Sequence, residues 1–162
     1  MHTYYLKSVF LIFSVSIVFL SCQETKGLSD KEKNLVADTI RQTLTNYSRD
    51  VKQAGLMAEL KYLDSSADFF WVPPGYKSAI LYDSVAKILR MNAPLFKSID
   101  NSYKTLTIIV VSKRVATYNA LLHSVSVNTS GKVYESDLIE TGVLIKRPTG
   151  WKLLSGQTSI LK

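Results

Sequence analysis

The chain has 162 residues, of which 46% are hydrophobic and 20% charged, with a single cysteine and a formal net charge of +7. That length suits one domain with a real hydrophobic core, and one cysteine excludes an intrachain disulfide. The positive surplus is dispersed in pairs such as Lys113-Arg114 and Lys146-Arg147, with no polybasic block or Arg-aromatic array, which argues against a nucleic-acid partner and suits a mildly basic face near anionic lipid.

In chain order, the first feature is an apolar run from Val9 to Leu20, preceded by Lys7 and closed by Ser21 and Cys22. The run is shorter than the roughly 20 apolar residues a spanning helix needs. A positive flank, a short apolar stretch and a small residue before the cut describe a secretory signal, and a cysteine at the cut describes a bacterial lipoprotein whose new N-terminus is acylated. Phe19 stands where Leu is usual in that box, while Leu20 and Ser21 fit. Residues 1–21 are therefore expected to be a signal peptide, Cys22 the lipidation site and residues 22–28, which carry Gly27, a polar tether. The location expected is exported and lipid-anchored to a bacterial membrane, on the periplasmic or surface face of the outer membrane if there are two. Cleavage leaves 141 residues, and the domain is placed at 29–162.

Ser29-Asp30-Lys31-Glu32 reads as a capping box. Val36, Ile40, Leu44, Tyr47 and Val51 then lay one apolar stripe on a helix running to about Gly55. Leu56, Leu60 and Leu63 continue it on a shorter helix ended by Asp64-Ser65-Ser66. Phe69 to Val72 has the bias of a strand, stopped by Pro73-Pro74-Gly75 because neither proline can donate to a ladder. Ser78 to Leu81 returns as a short partner strand, and Asp83 is expected to cap a helix carrying Val85, Ile88, Leu89 and Leu95, bent or ended near Pro94. From Tyr103 the character changes. Thr105 to Ser112, Val115 to Val127, Val133 to Lys146 and Trp151 to Ile160 are β-rich runs separated by turn residues. Helices first and a meander afterwards predict an α+β domain with helices packed on one face of a curved antiparallel sheet.

These residues resemble the SnoaL-like, or nuclear transport factor 2-like (NTF2-like), superfamily, whose cone-shaped fold is also called cystatin-like. The resemblance spans about residues 30–162. It is carried by Asp68 before Phe69-Phe70-Trp71, by Val115-Ala116 after a tight turn, by Gly131-Lys132-Val133-Tyr134 and Thr141 to Lys146, and by Gly150-Trp151-Lys152-Leu153-Leu154 with a closing Ser159. Ser155 and Gln157 stand where histidines often follow in this superfamily, and the turn before Trp151 is a residue shorter than usual. The resemblance implies a deep pocket between helices and concave sheet. In ketosteroid isomerase, one member, that pocket holds an Asp base and a Tyr plus a protonated Asp that donate to an oxyanion. Here the base position reads Val72 or Pro73, and the oxyanion Asp falls near Glu140 or Thr141, with Glu140 expected to point outward beside Gly142 and Leu144. The isomerase set is broken at its most necessary member, so no catalytic residue is assigned and the chain leans away from being an enzyme.

The remaining candidates are weighed singly. His123, in a strand, reads as a surface or interface residue. Asp64 and Asp68 read as helix-end and turn groups. No metal-ligand pattern, nucleophile elbow or phosphate loop occurs, so no metal or cofactor is expected. Aromatic residues on elements that flank the implied cavity supply polar tips in apolar surroundings. The pocket candidates are Tyr47, Trp71, Tyr76, Tyr118, Glu140 and Gln157, with Phe69 beside them. Alternation on the strand from Val115 favours Ala116, Tyr118, Ala120 and Leu122 as the inward set. Three functions follow: a noncatalytic pocket domain for a small apolar or amphipathic ligand or a partner protein, its hollow lined by carbon rather than by acids and bases; a cofactor-free isomerase, dehydratase or hydrolase using Tyr and Glu140; or a structural module that forms a homodimer through its open sheet face. The first is favoured.

Overall fold

The computed structural model describes residues 27–161; the expected signal peptide, Cys22 and most of the tether lie outside them. Helix α1 (Asp30–Ala54) opens with the anticipated capping box, in which the Ser29 side chain accepts from the Glu32 backbone while the Glu32 carboxylate accepts from the Ser29 N–H. The same carboxylate meets Lys113, and that hydrogen bond, before the ones from Ser29, holds the Glu32 carboxyl down at about 2. Gly55 ends the helix at φ 78°, a left-handed angle that disfavours any residue with a Cβ, and its N–H bonds the Val51 carbonyl. Of the predicted stripe, Ile40, Leu44 and Val51 are buried and Val36 packs on the core.

A 3-10 helix (Leu56–Lys61) carries the next apolar residues, and β1 (Phe70–Val72) ends at the proline pair. The partner expected at Ser78 to Leu81 contracts to a single antiparallel bridge, Trp71 with Ile80. Helix α2 (Tyr82–Asn92) follows. Asp83 does not cap it, correcting the sequence reading: Leu81 is the N-cap, with no side-chain hydrogen bond, and Asp83 sits in the first turn, where its charge faces the positive end of the helix dipole. A second 3-10 turn (Ala93–Leu95), with Pro94 inside it, ends this segment.

Four long strands complete the molecule: β2 (Phe96–Val110), β3 (Val115–Asn128), β4 (Val133–Arg147) and β5 (Gly150–Ile160), in spatial order β1-β5-β4-β3-β2. Pairing is antiparallel except at β1, which lies parallel to β5 over three residues. Strand β2 begins well before the expected Thr105, because Ser98, Asp100, Asn101 and Ser102 are poor strand formers that pair with β3 all the same. A register shift at Tyr103/Thr105 reverses its inward parity, so Ile99 and Tyr103 face the core before it and Leu106 and Ile108 after it. Another shift at Val143/Leu144 bends β4 and β5, and the curved sheet wraps its concave face around α1, the 3-10 helix and α2. The inward set on β3 is as expected, with Ala116, Tyr118, Ala120 and Leu122 all buried.

Beneath the 3-10 helix, Asp64 is buried and bound by Arg147, whose Nε donates to Oδ2 at 2.5 Å. That guanidinium holds the Asp64 carboxyl down at about 2. The Ser66 N–H also bonds Asp64, so the turn role read from the sequence coexists with an ion pair to the end of β4.

Candidate functional site

Between the helices and the concave sheet lies a cavity of about 230 Å3, walled by Leu63, Phe69, Val85, Ile88, Leu89, Leu138 and Leu153. Into this apolar wall Tyr47, Glu59, Trp71, Asn101, Glu140 and Thr158 bring polar atoms from six different elements. Pro73 and Pro74 also line it, at the end of β1.

Glu140 is the centre of the polar network. The Tyr118 hydroxyl donates to its Oε1 at 2.6 Å and the Thr158 hydroxyl to its Oε2 at 3.0 Å, while Trp71 Nε1 donates to the Thr158 oxygen at 3.0 Å. Strands β3, β4, β5 and β1 are thereby joined side chain to side chain. Glu140 points inward, against the outward orientation expected, because the strand's core parity is Glu140, Gly142, Leu144: Leu144 is wholly buried and Gly142 shares its face. Burial pushes the Glu140 carboxyl upward, and the Tyr118 and Thr158 hydrogen bonds oppose the shift without cancelling it.

Two glycines make room for this arrangement. Gly142 and Gly156 are paired across β4 and β5. A Cβ on Gly142 would stand 2.7 Å from Tyr118 Cε1, and one on Gly156 would stand 2.6 Å from Trp71 Cζ3 and collide with the Thr141 carbonyl. The absent side chains let both aromatic rings come close to the strands, the Tyr118 hydroxyl reaching Glu140 and the Trp71 indole reaching Thr158.

Glu59, which the sequence reading missed, reaches the cavity from the 3-10 helix. Burial pushes its carboxyl up to about 7, the Glu140 charge adds to the shift, and the Tyr47 hydroxyl offsets a part. Tyr47 is raised by burial and then by Glu59 and Glu140, and Tyr118 and Tyr103 by burial and then by Glu140. No Lys, Arg or His lines the cavity among the described residues, so the two carboxylates meet hydroxyl donors but no cation there. The hollow is not lined by carbon alone, as the sequence suggested. The missed signal was a glutamate inside a segment whose leucines were read as an apolar face; a 3-10 turn brings i and i+3 into line, which carries Glu59 round beside Leu56 and toward the core.

The six pocket candidates divide. Tyr47, Trp71 and Glu140 line the cavity, and Tyr118 stands behind Glu140. Tyr76 does not reach it: the turn in which its N–H bonds the Pro73 carbonyl carries it outward, and it is 45% exposed. Gln157 alternates onto the opposite face of β5, in a shallow groove with Phe70, Val72 and Thr141. His123 also lies on that convex face, its Nδ1 2.9 Å from Asp137, which Lys104 also binds. Among the described residues no three His, Cys, Asp or Glu side chains gather as a metal-ion site.

Neither a protein-family model nor a curated protein sequence matches this chain. Solved structures do. A candidate scytalone dehydratase from Novosphingobium aromaticivorans superposes with a TM-score of 0.70 at 14% identity, covering 80% of this chain and 87% of its own. A nuclear transport factor 2-like superfamily protein from Salmonella enterica gives 0.64 at 16% identity, with 80% and 93% covered. A type 2 hexachlorocyclohexane dehydrochlorinase gives 0.66 at 13% identity, with 83% and 90% covered. The fold is the α+β cone that these nuclear transport factor 2-like structures share, as the sequence resemblance implied.

Proposed function

We propose that this domain is a small-molecule pocket carried on the outside of a bacterial membrane by a lipid on Cys22. The observation that carries the pocket is the cavity itself: about 230 Å3 with apolar walls and a few placed polar groups, the pattern of a ligand site. A close-packed core would leave no such space. The anchor rests on the apolar run and Cys22. Native mass spectrometry of the protein purified from its host tests the pocket directly: a retained small molecule is expected, and a bare chain that also binds no apolar fragment would end the reading. For the anchor, Cys22→Ser should move the chain out of the membrane fraction; a variant still sedimenting with membranes would contradict it.

One observation favours a second reading, proton-transfer catalysis. A carboxyl held near 7 inside an apolar cavity is matched to general acid-base work at neutral pH, and two of the neighbouring structures bear the names of a dehydratase and a dehydrochlorinase. Glu59 would be the base and the Tyr118–Glu140 pair would orient the substrate. The test is base-promoted ring opening of 5-nitrobenzisoxazole, a general carbon-acid probe. A rate that rises with pH to a plateau, with its midpoint near 7, and that disappears in Glu59→Gln is expected; a rate equal to free acetate would remove catalysis.

A further inference from the structure

Resting on the pocket reading, we propose that its ligand is a small organic cation: a protonated amine or amidinium on an apolar body of about one ring. Three independent features point there. The cavity's only charged groups among the described residues are Glu59 and Glu140, and its lining contains no basic side chain, although the chain as a whole carries +7. The interior is thus opposite in sign to the surface, an arrangement that a neutral or anionic guest would not exploit. Aromatic rings of Tyr47, Phe69 and Trp71 belong to the same wall, and aromatic rings attract cations most strongly where water is excluded. The volume of about 230 Å3 falls below the roughly 300–1,000 Å3 of sites for drug-sized ligands, so the apolar part is restricted to about one ring.

The two carboxylates play unequal parts. Glu140 already accepts from Tyr118 and Thr158, which fixes its position and uses one lone pair on each oxygen. Among the described residues Glu59 has no basic partner: it is faced by Tyr47 from α1 and by the Glu140 charge from β4, with Tyr103 of β2 and Tyr118 of β3 grouped around Glu140. A guest cation supplies the missing opposite charge to both, so its binding favours ionised carboxylates and strengthens as pH rises.

Calorimetric titration of the full chain with benzylamine, benzyl alcohol and benzoate tests this. At pH 8 benzylamine is expected to bind at least tenfold tighter than benzyl alcohol, with benzoate weakest. At pH 5.5 the preference should shrink, with proton release on binding. Glu59→Gln should cut the amine preference severalfold, and Glu59→Asp, which keeps the charge, should retain most of it. Benzyl alcohol binding as tightly as benzylamine at pH 8 would overturn the cation while leaving the pocket in place. No binding of any of the three would overturn both.

Discussion

Glu59 and Asp64 are two acids five residues apart with opposite fates. Arg147 reaches Asp64 and holds its carboxyl down, whereas no cation among the described residues reaches Glu59 and burial raises it. Their contributions to stability run in opposite directions with pH. The lowered Asp64 stabilises the fold above its unfolded value, and that stabilisation is lost as pH falls toward about 2. The raised Glu59 does the reverse: the fold binds its proton more tightly than the unfolded chain, so stability falls as pH climbs from about 4.5 to about 7. Glu59→Gln should therefore be more stable than the native chain above pH 8, by up to about 3 kcal/mol, with no difference near pH 4. Urea denaturation across that range checks it, and equal stability at pH 8 would contradict it. Asp64→Ala should cost about 2–3 kcal/mol, below the loss for a wholly buried pair because the Arg147 side chain keeps 31% of its exposure.

Among the elements, the long strands are where sequence and structure agree most closely, since Val115–Asn128 and Val133–Arg147 are β-rich, bounded by turn residues, and alternate in burial over 115–122 and 139–145. The beginning of β2 was illegible for a physical reason: Ser98 to Ser102 owe their strand state to pairing with β3, a long-range effect that local propensity does not carry. Glu140's direction was misjudged although Leu144 on the same face was available to set the parity. Gly142 and Gly156 could not be interpreted from sequence at all, because their meaning lies in the rings of Tyr118 and Trp71 approaching from other strands. Gly156→Ala is expected to destabilise by at least about 1–3 kcal/mol through overpacking against Trp71 and the Thr141 carbonyl. It should also break the Trp71–Thr158–Glu140 chain of hydrogen bonds, seen as a change in indole N–H shift. An unperturbed Trp71 would show that the strand can move aside.

Taken whole, the molecule is a cone with its chemistry inside and its basic charge outside. Six elements bring polar atoms to one hollow, yet only the strand and helix order, with most of the aromatic tips, was readable in advance. The acids were harder to read because their state depends on what fails to surround them. The convex face holds a separate polar cluster, His123 with Asp137 and Lys104, none of which lines the cavity. All of this turns on two uncompensated glutamates in an apolar space. Carboxyl carbon NMR of the folded protein, titrated from pH 4 to 9, measures that state directly. A resonance titrating near 7 that vanishes in Glu59→Gln, with a second carboxyl displaced above the ordinary range for Glu140, is the predicted result. Both glutamates titrating near 4.5 would mean a hollow filled with water, and would contradict the account.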